Sequence, residues 1–203
     1  MPFKNPADLE RYLAALREAQ LPLLSLPDKP SLVVLPFVNM SEDPKQDYFS
    51  DGITEDLATA LSQLSSLFVI SRNTAFTYKG KAVKLPEVSR ELGVRYVVEG
   101  SVRKAGDQVR ITAQLIDATQ DHSLWTERYD RPLTALFALQ NEIVQKIVFA
   151  LKVKLTAEEQ ARFRQAPTNN LDAYDFYLRG LETQWRGFYE TKQELNEQAR
   201  RMY

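Results

Sequence analysis

The stretch VVEGSVRKAGDQVRITAQLID, residues 97–117, decides the fold. On either side of residues 104–107, apolar and polar side chains alternate with a period of two. This alternation is typical of strands with one covered face and one solvated face, and the glycine-containing link between them predicts a tight turn. The stretch therefore predicts an antiparallel β-hairpin. Its inward positions are Val98, Gly100, Val102, Val109, Ile111, Ala113 and Leu115.

Further strands are predicted on both sides of this hairpin. After a second turn at residues 117–121, residues 123–129 predict a third antiparallel strand. Earlier in the chain, the apolar runs 31–37 and 67–71 predict short strands buried on both faces. Pro36 cannot donate a hydrogen bond to a ladder and ends the first of them.

Apolar residues spaced three and four apart predict three helices in the same region. They begin near Ser50 or Asp51, near Pro86 and near Leu133, and Gly93 ends the second one. The order β-α-β-α-β-β-β-α over residues 31–155 predicts an α/β fold, a two-layer domain with a mixed sheet.

The flanking segments predict smaller units. Residues 1–20 predict an N-terminal helix, followed by a proline-rich linker at 21–30. A second linker is predicted at 156–170, and two amphipathic helices are predicted in residues 171–203. Because the chain stops inside the second of these helices, we expect it to be a piece of a longer protein.

The composition excludes several classes of function. Twenty-six basic and 27 acidic residues give a net charge of -1, so no overall charge favours nucleic acid or an anionic membrane. No apolar run approaches the length that spans a bilayer. The absence of cysteine excludes disulfides and thiolate chemistry. The single histidine, His122, follows a predicted turn and is interpreted as an exposed residue, so we expect no cofactor and no catalytic or metal site.

Three carboxylates lie four residues apart at Asp47, Asp51 and Glu55. On a helix they share one face, which would suit either a metal site or acid/base chemistry. Acidic residues in the first turns also stabilise a helix by neutralising its positive end, by about 0.3–1 kcal/mol each. We favour this second interpretation.

The most promising candidate site is the segment 72–80, predicted to be a polar loop. It follows the end of a buried strand, where open α/β sheets place ligands. The alternative is that its aromatic rings pack on the sheet and its polar groups satisfy the loop backbone. The candidate ligand or partner residues are Arg72, Asn73, Thr74, Phe76, Thr77, Tyr78 and Lys79.

Two other features suggest interaction surfaces. Arg103 and Arg110 face each other across the hairpin, with Lys104 and Arg95 nearby, and form either a basic patch or a solvated sheet face. The terminal segment is rich in aromatic residues, which either pack against a further helix or line a groove for peptides. These aromatic residues are Tyr174, Phe176, Tyr177, Trp185 and Phe188.

Three long strings occur in order and carry a family resemblance: LVVLPFVNMSEDPKQDYFSDGITEDL (32–57), VISRNTAFTYKGKAV (69–83) and ELGVRYVVEGSVRKAGDQVRITAQLIDATQDHSLWTERYDR (91–131). Residues 31–155 resemble the domain similar to the amino-terminal domain of TolB. In bacterial signalling proteins this domain accompanies class III adenylate/guanylate cyclase domains or winged-helix DNA-binding domains. Residues 171–203 resemble the start of tetratricopeptide repeats, a helical hairpin.

The resemblance implies a non-catalytic regulatory or protein-interaction module of a multidomain bacterial signalling protein associated with a nucleotide cyclase. The cyclase catalytic domain itself is not in this sequence. Protein or peptide partners would bind through the C-terminal helices, and no nucleic acid is expected to bind. A homodimer and a cytoplasmic location are further expectations, with a periplasmic location left open. The alternative function is a sensor of a small ligand or nucleotide that uses residues 72–79.

Overall fold

We describe a computed structural model, which covers residues 29–162 and 170–202, with the side chains of the last helix as far as Gly187. The predicted N-terminal helix in residues 1–20 and most of the 21–30 linker lie outside the described residues. Residues 163–169 of the predicted second linker also lie outside them. The domain boundaries drawn from the sequence stay predictions.

One mixed sheet of six strands forms the centre of the described residues. The strands are β1 (Ser31–Val34), β2 (Val38–Asn39), β3 (Phe68–Val69), β4 (Tyr96–Ala105), β5 (Gln108–Asp117) and β6 (His122–Pro132). Their order across the sheet is β3-β1-β4-β5-β6, and β2 pairs with the second half of β4. Strand β1 pairs in parallel with β3 and with β4, and β2 pairs in parallel with β4, whereas β4, β5 and β6 form an antiparallel meander.

Six α-helices accompany the sheet within residues 29–162 and 170–202, and the predicted α/β fold with a mixed sheet and C-terminal helical structure is confirmed. The helices are α1 (Asp47–Ser62), α2 (Arg72–Phe76), α3 (Leu85–Leu92), α4 (Leu136–Ala150), α5 (Ala157–Arg162) and α6 (Leu171–Met202). Short 3-10 turns at Pro44–Gln46 and Leu133–Ala135 precede α1 and α4.

The meander forms for the reasons seen in the sequence. Gly106, at φ +58°, supplies the left-handed conformation of the β4–β5 turn at little steric cost. The following turn is fixed by Asp117, whose carboxylate accepts hydrogen bonds from the backbone and hydroxyl of Thr119. The Gly106 turn sets a β4–β5 register in which Arg103 lies opposite Arg110, as predicted.

Apolar side chains cover the two faces of the sheet unequally. The larger cluster joins one sheet face to α1, α4 and the start of α6, and contains the fully buried Ile53, Ile111 and Ile143. A smaller cluster lies on the opposite face, where α2 and α3 pack beside β1 through residues such as Val33 and Val88. Strand β1 is therefore buried on both faces, whereas β5 and β6 have one solvated face.

Several predicted element boundaries were wrong by a few residues. Helix α1 begins at Asp47 rather than at Ser50 or Asp51, because the 3-10 turn capped by Asp43 leads directly into it. Helix α4 begins at Leu136 rather than near Leu133, because β6 continues to Pro132 and a 3-10 turn follows. The short strand β2 was not predicted: Val38 follows the predicted strand 31–37, and Asn39 begins the predicted loop.

Two further differences concern segments near the candidate sites. Residues 72–76, predicted as a loop, form the short helix α2. Residues 171–202 form one continuous helix, α6, where a break into two helices was predicted. No helix in the described part of the chain is both long enough and apolar enough to cross a membrane.

Gly100 on β4 gives a test of the packing between sheet and core. A Cβ atom there would lie 2.2 Å from the backbone oxygen of Thr112 and 2.7 Å from the ring of Phe37. Because the strand backbone cannot yield as a flexible side chain does, we expect Gly100→Ala to lower the free energy of unfolding by about 1–3 kcal/mol. Urea denaturation followed by circular dichroism measures this difference.

Gly180→Ala is the matched control. A Cβ atom at Gly180 on α6 meets nothing within 4 Å, so the substitution should be neutral or stabilise the helix by up to about 1 kcal/mol. Equal losses of stability for both variants would contradict the packing described at Gly100.

Candidate functional site

The candidate segment 72–79 lies over α1, and its two cations bind the α1 carboxylates. The Nζ atom of Lys79 lies 2.7 Å from Oδ2 of Asp51 and 3.4 Å from Oδ2 of Asp47. The Nε atom of Arg72 lies 2.9 Å from Oε2 of Glu55. The candidate cations and the row of carboxylates, considered separately in the sequence, are therefore partners of each other.

This pairing revises the interpretation of the carboxylate row. Asp47 lies in the first turn of α1, where a negative charge stabilises the helix, as proposed from the sequence. Asp51 and Glu55 lie beyond the first turn, and they bind α2 and the residues that follow it. Burial raises the pKa of both carboxyl groups, and the neighbouring cations oppose that rise. Among the described residues, no group of three or more metal-ligating side chains is placed to hold an ion.

Arg72 is held between two aromatic rings. Its guanidinium carbon lies 3.8 Å from the centre of the Phe76 ring and 4.3 Å from the centre of the Trp185 ring on α6. Contacts of this kind stabilise by about 0.5–2 kcal/mol, more as the cation loses water. The Arg72 side chain is 14% exposed, so the stack joins α1, α2 and α6 at a largely desolvated cation.

A cleft of about 230 Å³ remains between these three helices. Three of the predicted loop residues line it: Arg72, Phe76 and Lys79. Tyr78 instead faces the small core cluster on the opposite sheet face, where burial and Glu91 raise its pKa to about 12.

The other predicted loop residues are exposed or make hydrogen bonds within the segment or with the adjacent Ser71. Asn73 is exposed, and the hydroxyl of Thr77 donates to the backbone oxygen of Thr74. The Thr74 hydroxyl lies 3.1 Å from that of Ser71. The structure thus brings together only part of the predicted set.

The predicted basic patch is a set of ion pairs. Arg110 binds Asp130 at 2.5 Å, and Arg103 lies 3.6 Å from Glu42. Lys104 points to the opposite sheet face, because side chains alternate along a strand, and approaches Asp175 at 3.7 Å. Its inclusion in the patch was wrong.

The two remaining sequence candidates lie at the same end of the meander, on either side of Asp117. Arg95 binds Asp117 at the other end of β4. His122 is an exposed residue at the start of β6.

Sequence reasoning missed two polar networks that fix α6 to the α/β domain. In the first, Asp56 of α1 accepts hydrogen bonds from the hydroxyl of Tyr174 and, at 2.9 Å, from the side-chain amide of Gln140. In the second, the Tyr48 hydroxyl donates to Asp175 at 2.5 Å and accepts from Arg179 at 3.0 Å. The aromatic excess in residues 171–188 was the signal for the first network.

Between the two networks, Leu178 packs against the glycine of α1. A Cβ atom at Gly52 would lie 2.3 Å from Cδ2 of Leu178, so glycine allows this close approach of the two helices. Leu178 is 1% exposed and belongs to the main core cluster. Phe176 and Tyr177, by contrast, are 74% and 55% exposed. The aromatic residues of α6 are therefore divided: Tyr174 packs inward against α1 and α4, whereas Phe176 and Tyr177 form an outward surface.

Comparison with known proteins finds a similar curated sequence. The chain is 56% identical over 157 residues to "Putative adenylate cyclase 3" of Rhizobium meliloti (strain 1021), covering 77% of this chain and 27% of that protein. The chain thus spans about a quarter of the length of this relative.

Two solved structures are similar to this chain at TM-scores below 0.5. TolB from Acinetobacter baumannii has a TM-score of 0.46 and 19% identity, covering 61% of this chain and 28% of that chain. Lipoprotein GNA1162 from Neisseria meningitidis has a TM-score of 0.44 and 21% identity, covering 62% of this chain and 99% of that chain.

A family model matches residues 28–146, more than half of the 203 residues, and is described as "HilA/YgeH-like transcriptional regulator, second domain". Together with the cyclase relative, it confirms the coarser prediction from sequence, a domain of transcriptional-regulator and adenylate-cyclase-like multidomain signalling proteins. This chain belongs to the family of HilA/YgeH-like transcriptional regulator second domains.

Proposed function

We propose that this chain is a non-catalytic regulatory module of a multidomain bacterial signalling protein, and that it acts by binding a protein or peptide partner along α6. The observation that carries this proposal is the division of α6 into two faces. One face is fixed to α1 and α4 by two polar networks, and the other presents Phe176 and Tyr177 to solvent. A rigidly held helix with exposed aromatic residues is suited to hold a partner in a defined position relative to the sheet.

The proposed module is non-catalytic because the charged side chains of the candidate segment and of α1 already bind one another. The cations of the candidate segment bind Asp51 and Glu55, and each member of these pairs would have to lose its partner to act on a substrate. We assign any cyclase or DNA-binding activity of the whole protein to parts outside this chain. ATP and DNA are cytoplasmic, so the proposal places the module in the cytoplasm.

The second candidate function is a sensor of a small ligand. The cleft beside Arg72, Phe76 and Lys79 favours it, because cations and an aromatic ring meet in one concave site. The ion pairs that already occupy these cations count against it, since a ligand would have to compete with Asp51 and Glu55.

Ligand screening distinguishes the two candidates. We expect no rise in melting temperature with ATP, GTP, cyclic nucleotides or common metabolites, because no free cation lines the described cleft. A ligand at 100 times its dissociation constant would stabilise the native chain by about 2.7 kcal/mol, which a thermal-shift assay detects. A reproducible rise that Arg72→Ala abolishes would favour the sensor. Conversion of ATP or GTP by this chain alone would contradict both candidates.

The partner surface is tested in the full-length cyclase relative, with this chain in place of the segment that it matches. We expect Phe176→Ser combined with Tyr177→Ser to change cAMP formation from ATP by at least about fivefold, because a regulatory contact is lost. Phe149→Ser is the matched control, since this phenylalanine is 83% exposed on α4 and should not alter the rate. Unchanged cAMP formation in the double variant, with normal folding, would refute a role of this surface.

The attachment of α6 is tested through the pH dependence of stability at Asp56. Burial raises the pKa of this carboxyl above its ordinary value of 3.8, although the hydrogen bonds from Tyr174 and Gln140 oppose the rise. Because the folded chain then binds the proton more tightly, the stability contributed by Asp56 is fully present below the unfolded pKa. It is lost as the pH rises through the folded pKa.

We therefore expect the unfolding free energy of the wild-type chain, relative to that of Asp56→Asn, to fall as the pH rises from about 4 through the raised pKa of Asp56. Urea denaturation at a series of pH values, followed by tryptophan fluorescence in a Trp125→Phe background so that Trp185 alone reports, measures this difference where α6 meets Arg72. Asp121→Asn, at an exposed turn carboxylate, should keep the wild-type profile. A difference independent of pH would contradict the burial of Asp56.

A further inference from the structure

Strand β6 is a long edge strand. Its 11 residues, His122–Pro132, pair with β5 on one side, and in the described ranges 29–162 and 170–202 no strand pairs with its other side. The opposite edge strand of the sheet, β3, has two residues. A long edge offers a row of backbone donors and acceptors to any strand that can approach it.

Charged side chains on an edge strand usually oppose such pairing. The charges on β6, however, have a particular order. Glu127 and Arg128 precede Tyr129, and Asp130 and Arg131 follow it, so the signs run negative, positive, neutral, negative, positive. Each position on one side of Tyr129 thus has the opposite sign to the position at the same distance on the other side.

This order is self-complementary under two-fold symmetry. In an antiparallel pair, directly opposed residues lie on the same face of the sheet. A two-fold axis perpendicular to the sheet and passing beside Tyr129 therefore opposes Arg128 to Asp130 of the second copy, and Glu127 to Arg131 of the second copy. Symmetry repeats each pair, so four unlike charge pairs form across the junction.

Neighbouring registers lack this complementarity. An axis at Glu127, Arg128 or Asp130 would place each of these residues against the same residue of the second copy, which opposes like charges at the centre. We propose that two copies of this chain pair through β6, antiparallel and centred on Tyr129, so that two six-stranded sheets become one continuous sheet.

The side chains concerned can reach across the junction. Arg128, Asp130 and Arg131 are 65%, 49% and 45% exposed, and Glu127 is 37% exposed. Their present ion pairs along the same chain do not exhaust them, because a carboxylate accepts about four hydrogen bonds and a guanidinium donates five. The pairing therefore adds partners to charges that remain partly solvated, which avoids the large cost of burying them completely.

Sedimentation velocity and equilibrium of the chain over a concentration series test the proposal. We expect a monomer–dimer equilibrium that weakens as the salt concentration rises, because the contacts across the junction are ionic. A wild-type chain that stays monomeric up to about 1 mM would overturn the proposal.

Charge reversal tests the register. Arg128→Asp and Asp130→Lys each place two like-charge pairs across the junction, so each variant alone should dimerise at least about tenfold more weakly. Mixed in equal amounts, the two variants should form a heterodimer, because each opposed pair then unites unlike charges. Circular dichroism establishes that each variant is folded before mixing.

Arg103→Asp is the matched control. This residue is 47% exposed on the solvated sheet face but lies on β4, two strands from the edge, and its reversal should leave the dimer dissociation constant unchanged. Failure of two folded charge-reversal variants to form the heterodimer would overturn the register. Equal weakening by Arg103→Asp would overturn the edge contact in favour of a general charge effect.

Discussion

Helix α1 has to satisfy three neighbours at once, and the rest of the described structure depends on it. Its apolar side, with Ile53, Leu57 and Leu61 fully buried, packs on the sheet and α4. Its carboxylates Asp51 and Glu55 bind the cations of α2 and the segment after it. A further set of residues on α1 receives α6: Tyr48, Gly52 and Asp56.

These two polar sides explain why acidic residues are so frequent in α1. A salt bridge between exposed groups contributes about 0–1 kcal/mol, so Lys79, at 39% exposure, adds little by charge alone. Asp56 differs, because its burial raises its pKa and makes the loss of its hydrogen-bond donors costly. The attachment of α6 therefore depends more on the shape and hydrogen bonding around Asp56 and Leu178 than on the number of ion pairs.

The sequence predicted the sheet well because its signals are local. Alternation in residues 97–117 and the glycine turn determine the β4–β5 pairing within one hairpin, and the Arg103–Arg110 register followed from it. Boundaries shifted by several residues where 3-10 turns lead into α1 and α4, because such turns leave no periodic signal. Helix α2 has five residues, too few for a helical period to be recognised.

The candidate site was predicted only in part, because its partner residues are distant from it along the chain. The residues of the segment 72–79 were identified correctly as chemically distinctive, but their partners Asp51, Glu55 and Trp185 are brought to them by the tertiary fold. Helix propensity and residue spacing describe the carboxylates of α1 and the cations of the segment 72–79 separately. They do not show that the two sets neutralise each other. The same limit hid the Asp56–Gln140–Tyr174 network, whose members lie on three helices.

Helix α4 contacts both elements that carry the proposed interaction surfaces, α6 on its inner side and β6, which raises the question of whether the two surfaces influence each other. Near its start, Gln140 reaches Asp56 and Tyr174, and further along, Lys146 lies 3.4 Å from Glu127 of β6. Coupling between two sites requires an element with two alternative arrangements. Helix α4 holds fully buried Ile143 and Ile147 in a close-packed core, which favours one arrangement. The edge of β6 and the outer face of α6 should therefore act independently, and substitutions in the two surfaces should have additive effects.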